Sequence, residues 1–213
     1  MRNSSIVVLS ALGLSLATGA AVAGPSNFTV TSVSVVGDPV TLLAPINVAT
    51  TAGPILLQTS IGPLLAWCDD IFHDINLGGG QSLPYSIGTI SGNNDPNTPL
   101  TLTALQVREI TGLAAYGEGL YGTPQGTNDN LAAVQLAIWS IEYPGFTYSG
   151  APGAPVAADI ALAPTLMGTA AQLVALEGTQ GLVTADLHPA PEPASFALLG
   201  TGLLGLAVRR RRA

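Results

Sequence analysis

Cys68 is the only thiol in the chain, and the residues just after it, Asp69, Asp70, His73 and Asp74, add carboxylates and an imidazole. A thiol with no second cysteine cannot close an intramolecular disulfide. It can serve as a small buried apolar side chain or as a nucleophile. Paired with His73 or His188 it would begin a Cys–His hydrolase, but Cys68 and His73 on a strand and its turn match no recognised nucleophile arrangement. The acidic run would suit a hard cation, and its imidazole a transition metal. Its spacing fits no metal motif, so the expectation is a solvated acidic turn with no metal and no cofactor. Trp67, Trp139, Tyr143 and Tyr148 could line up as a sugar-binding platform, although Trp139 lies at helical spacing and reads as core.

The elements that must position these residues follow from hydrophobic period. Residues 28–60 are rich in Val, Thr, Ile and Leu and nearly alternate from Phe28 to Val35, with breaks at Gly37, Pro45 and Gly53-Pro54. That is the pattern of strands and turns. Pro63 to Phe72 reads as a further strand running into the acidic turn, and Leu83 to Ile90 as another after Gly78-Gly79-Gly80. The period then changes to helical, with Leu102, Leu105, Ile110, Leu113 and Tyr116 on one stripe and Leu131, Val134, Ile138 and Ile141 on a second, the latter capped by Asp129. Residues 154–177 predict two short helices separated at Pro164, the second stopped by Gly178, and Thr179 to Thr184 returns to strand composition. Strands, helices, then a final strand that can pair back with the early sheet predict an α+β fold: a β-barrel or sandwich-like sheet with an inserted helical section.

Within this frame, Trp67-Cys68-Asp69-Asp70 and Ala133-Val134-Gln135-Leu136-Ala137-Ile138-Trp139, followed by Thr179-Gln180-Gly181-Leu182-Val183, resemble the thioester domains of bacterial surface proteins. Those domains carry an aromatic-Cys motif, a Thr-Gln-x-Ala-Ile-Trp helix and a late strand with Gln among apolar residues. The chain departs from them at Trp67, Asp69 and Val134. The resemblance implies an internal bond between the Cys68 thiol and the Gln180 side-chain carbonyl, with Gln172 the weaker alternative partner. It implies supporting roles for Trp67, Asp70, Gln135, Ala137 and Trp139. Such a bond is a stored electrophile that an amine on an unidentified surface target opens once, in an acyl transfer without turnover. The expectation is therefore a covalent adhesin and not an enzyme. Its alternative is a non-reactive structural or carbohydrate-binding protein of the envelope or extracellular matrix, with Cys68 a free thiol.

Charge excludes other functions. The chain has no lysine, and between Gly24 and Ala190 the single basic residue Arg108 faces every acidic residue of the sequence except Glu192. A groove that neutralises phosphates cannot be built from this, so no nucleic acid is expected as a partner. A chain that stores an amine-reactive ester also avoids crosslinking itself if it carries no ε-amine.

The two ends read as processing segments. Arg2, the apolar Ile6 to Leu16 and the small residues Ala21 and Ala23 before Gly24 form a signal peptide over residues 1–23, a helix recognised by signal peptidase and the export machinery. At the other end, Pro191-Glu192-Pro193-Ala194-Ser195 precedes an uncharged apolar stretch to Val208 and the cluster Arg209, Arg210, Arg211 and Arg212. As a helix this stretch is about 22 Å long at ~1.5 Å per residue. That is short for a bilayer core of about 30 Å, so it reads as a temporary membrane anchor with its arginines on the cytoplasmic side. The three-part order resembles the PEP-CTERM sorting signal of Gram-negative bacteria. The signal spans residues 189–213, and the resemblance implies recognition at Pro191-Glu192-Pro193 by an exosortase, removal of the helix, and delivery of a domain spanning residues 24–188 to the cell surface or beyond.

Overall fold

The early alternating segment does break where glycine and proline punctuate it. In the computed structural model, which describes residues 27–75, 77, 82–92, 99–150, 152, 154–175, 179–185 and 187, it forms β1 (Asn27–Val35), β2 (Asp38–Ala44), β3 (Val48–Ala52) and β4 (Ile55–Thr59). β5 (Gly62–Cys68) ends on the cysteine, and β6 (Leu83–Gly88) follows. The helical section comprises α1 (Ala104–Leu120) and α2 (Asn128–Glu142). The chain then passes through a short strand, β7 (Thr147–Ser149), and α3 (Ala154–Leu162) with a 3-10 turn at Ala163–Thr165, and ends in β8 (Ala171–Ala175) and β9 (Leu182–Thr184).

Among the described residues, β1, β4, β5, β9, β8 and β6 close into a barrel in that order, and β3, β2 and β7 form a separate sheet. Every pairing is antiparallel. A closed barrel leaves no unpaired edge, and the last strand closes it: β9 sits between β5 and β8, with Cys68 opposite Leu182 and Ala171 opposite Thr184. The α+β expectation of a barrel with an inserted helical section matches this architecture, and the final strand pairs back with the early sheet. The expected signal helix and C-terminal helix lie outside the described residues. Among the described residues no helix is long and apolar enough to cross a membrane.

Three local expectations are corrected. The cap of α2 is Thr127, whose side chain accepts from the Asn130 backbone, while Asp129 stands in the first turn. The second helix expected before residue 177 is instead β8: alanine and glutamine favour helix locally, but the gap between β6 and β9 can be filled only by a strand, and barrel closure overrides propensity. The terminal strand is shorter than Thr179 to Thr184, so Gln180 lies just before β9 and not on it. The expected stop at Gly178 falls outside the described residues.

α2 is buried around almost its whole circumference, as a helix passing through a core must be. Ala133, Leu136 and Trp139 pack with Phe28, Leu57, Tyr85 and Cys68. Leu131, Val134, Ala137 and Ile138 pack with Trp67, Ile110 and Leu113. β5 divides in the same way, with Leu64, Ala66 and Cys68 in the first group and Leu65 and Trp67 in the second, as the two-residue period of a strand requires. α1 starts with a reciprocal capping box between Thr103 and Gln106. It approaches β5 so closely that a Cβ on Gly117 would overlap the Trp67 ring and crowd Val134.

Candidate functional site

The Cys68 peptide is clamped by a side chain 67 residues away. Gln135, on the α2 face turned to β5, accepts from the Cys68 N–H through Oε1 at 2.9 Å and donates from Nε2 to the Cys68 carbonyl at 2.8 Å. Its amide spends one donor and its acceptor on the two polar groups of one buried residue, a match that needs both halves of the amide. Gln135 is itself fully buried.

Gln180 reaches the thiol from the other side. Its Nε2 lies 2.9 Å from Cys68 Sγ. Two contacts fix the segment that carries it: the Tyr85 hydroxyl donates to the Gln180 carbonyl at 2.9 Å, and the Asp69 N–H donates to the Gly181 carbonyl at 3.2 Å, continuing the β5–β9 ladder past the end of the strands. Gln172 is engaged elsewhere. Its Nε2 donates to Asp69 Oδ2 at 2.7 Å and to the Gly92 carbonyl, and its Oε1 accepts from Ser91 N–H. The structure thus brings Cys68, Gln135 and Gln180 together and keeps Gln172 apart.

The turn after Cys68 is tied down and not solvated, contrary to the acidic-turn expectation. Asp69 and Asp70 are buried, with Gln172 of β8 on the Asp69 carboxylate. Asp70 accepts from Phe72 N–H at 3.0 Å and pairs with His73 Nδ1 at 2.8 Å. His73 therefore pairs with an aspartate and makes no hydrogen bond to the thiol, while His188 lies outside the described residues. Tyr143 donates its hydroxyl to the Asp69 carbonyl at 2.8 Å and accepts from Ile71 N–H at 3.4 Å. Among the described residues no group of three or more His, Cys, Asp or Glu side chains is placed to hold a metal ion.

Burial pushes the Cys68 thiol well above its ordinary value, and the Asp69 carboxylate adds to the effect, against weaker opposing pulls from the Asp70 backbone and the Trp139 indole. The sulfur is a neutral thiol whose S–H donates to the Asp70 carbonyl at 3.2 Å. That is the opposite of the lowered-pKa thiolate on which cysteine hydrolases depend. Asp69 and Glu142 are raised as well, first by burial and then by the neighbouring acids, with the Gln172 amide pulling Asp69 the other way.

A cleft of about 620 Å³ opens onto the site, lined by Val33, Ser34 and Val35 of β1, Thr50 and Thr51 of β3, Ile55 of β4, and Asp74, Ile75 and Leu77, with Cys68, Gln135, Trp139 and Gln180 reaching it from the core side. Trp67 and Ala137 are fully buried against α1 and do not line it. The sugar-binding arrangement is not displayed: Trp67, Trp139 and Tyr143 are buried, and Tyr148 stacks on Phe146 with its hydroxyl on the Pro152 carbonyl. Pro191, Glu192, Pro193, Arg209 to Arg212, Ala21 and Ala23 lie outside the described residues.

Sequence reasoning did not identify Tyr85 as a support of Gln180, or Tyr143 as the staple of the turn. Nor did it single out Glu142, which stands two helical turns after Gln135 on α2 with both carboxylate oxygens buried and unbonded. No local signal marks Tyr85, which meets Gln180 across 95 positions. The i, i+7 spacing of Gln135 and Glu142 was readable.

Residues 189–212 match the family of the PEP-CTERM protein-sorting motif. No curated protein and no solved structure matches the chain. The thioester resemblance gains no support from these comparisons. The sorting motif marks an exported protein that is processed at the membrane by an exosortase.

Proposed function

We propose that this exosortase-sorted protein is a covalent adhesin in which Cys68 and Gln180 form an internal thioester. The observation that carries the reading is the Gln180 side-chain amide against Cys68 Sγ at 2.9 Å, inside a cleft that a nucleophile can enter. In forming the bond, sulfur attaches to Gln180 Cδ, the Cδ–Nε2 bond breaks, and the thiol proton leaves with the amide nitrogen as ammonia. An incoming amine then attacks the same carbon, the C–S bond breaks, and the sulfur recovers a proton while a stable amide remains. Gln135 holds the Cys68 backbone in register from both sides throughout.

Intact mass of the exported chain, with and without methylamine, tests the proposal. Wild type is expected to run one ammonia short and to gain one methylamine, whereas Cys68→Ala and Gln180→Ala show their full masses and gain nothing. A full wild-type mass in freshly prepared protein overturns it. That result would leave the alternative of a non-reactive envelope protein whose Cys68 is a buried thiol bonded to Asp70.

A further inference from the structure

The cleft that reaches Cys68 and Gln180 has an uneven chemical lining. Among its described lining residues Asp74 alone is charged; the others are apolar or carry hydroxyl, amide or thiol groups. Asp74 is exposed, and no ion pair employs it among the described residues, where the pairing found is His73 with Asp70. Arg108, the one arginine described, donates instead to the Pro164 carbonyl. A carboxylate with no protein cation stands in the passage to an electrophile, and Ile55 and Trp139 offer apolar wall in the same cleft.

We infer that Asp74 is a specificity residue of this site: its carboxylate draws the ammonium group of an incoming primary alkylamine into the cleft that Gln180 also lines, and accepts the proton the nitrogen must lose. The inference rests on the thioester reading. An alkylammonium carries two protons more than the amide nitrogen it becomes. On attack at Gln180 Cδ, one of these goes to the departing Cys68 sulfur and the other to the Asp74 carboxylate, which passes it to solvent. A neutral nucleophile gains nothing from Asp74, because it brings no charge to the cleft. The lining therefore discriminates by charge as well as by nucleophilicity.

The experiment compares the rates at which the full chain takes up cadaverine and hydroxylamine, a cationic and a neutral nucleophile at pH near 7, read by intact mass in wild type and Asp74→Asn. Two unit charges near 4 Å interact by about 1 kcal/mol in water and more near a protein surface. That corresponds to a loss of roughly fivefold to tenfold in the cadaverine rate of Asp74→Asn, with the hydroxylamine rate unchanged. Raising salt to about 1 M, where the Debye length is ~3 Å, should slow wild-type cadaverine capture toward the variant. Equal cadaverine rates in the two proteins, or equal losses for both nucleophiles, overturn the role of Asp74 while an ammonia-short wild type keeps the thioester. A wild type of full mass overturns both.

Discussion

Glu142 sits on the same helix face as Gln135, two turns on, with both carboxylate oxygens buried and without hydrogen-bond partners. Its contrast with Gln135 shows how differently buried polar groups are treated at this site. Gln135 answers both polar groups of the Cys68 peptide, whereas Glu142 answers nothing and is driven toward its neutral form by burial, with Asp69 and Asp70 adding to it. The consequence for stability has a definite sign. As pH rises past the ordinary value of 4.5, the unfolded chain releases this proton while the folded chain keeps it. The folded state then binds more protons, and stability falls with rising pH until the folded group itself ionises. Asp159 adds a drop of the same sign between its ordinary 3.8 and about 6, where burial places it. Denaturant midpoints followed across pH should therefore be highest in mild acid and decline toward neutrality. Glu142→Gln should flatten part of that decline and leave the share due to Asp69 and Asp159 in place. An unchanged pH profile in Glu142→Gln would show that the carboxyl is not held neutral.

At the scale of elements, the site exists because three of them approach unusually closely. α1 presses Gly117 onto the Trp67 ring, and Trp67 precedes Cys68 on β5. Gly117→Ala would add a helix-favouring residue, yet its methyl would overlap the ring and Val134. The expected net effect is a destabilisation of about 1–3 kcal/mol from overpacking, seen as a lower thermal midpoint, and a smaller fraction of chains short by one ammonia. The same closeness explains what the sequence could reveal. α2 was legible because its stripe of Leu131, Val134 and Ile138 is a local signal, and β1 to β4 because Gly37, Pro45 and Gly53-Pro54 punctuate them. β8 was misread because Ala171 to Ala175 carries no local sign that β6 and β9 flank it. The meeting of Cys68 with Gln180 spans 112 positions, so neither composition nor period could pair them. Cys68 stood out as the lone thiol, but only the resemblance brought Gln180 forward as its partner, and Tyr85, which holds Gln180 through its backbone carbonyl, had no motif to reveal it.

Over the whole molecule, the sorting motif at residues 189–212 and the residue census point to an exported chain that carries almost no basic groups of its own. It has six arginines and no lysine, so apart from its N-terminus it offers no primary amine to an ester inside itself. Under the thioester proposal that absence is consequential, because a lysine in the cleft would be an intramolecular nucleophile with a large advantage over any solute. Thr51 is the position to test: it is exposed on β3 and lines the cleft that Cys68 and Gln180 reach. Thr51→Lys should fold as wild type does and still run one ammonia short, since attack by its amine exchanges a thioester for an amide without further mass change. Its Cys68 should nevertheless become alkylatable in denaturant, and methylamine should no longer add. Thr51→Arg places a cation there without a comparable nucleophile and should keep both wild-type responses. If Thr51→Lys takes up methylamine as wild type does and its Cys68 stays protected, the missing lysines reflect the acidic bias of the chain and not protection from its own chemistry.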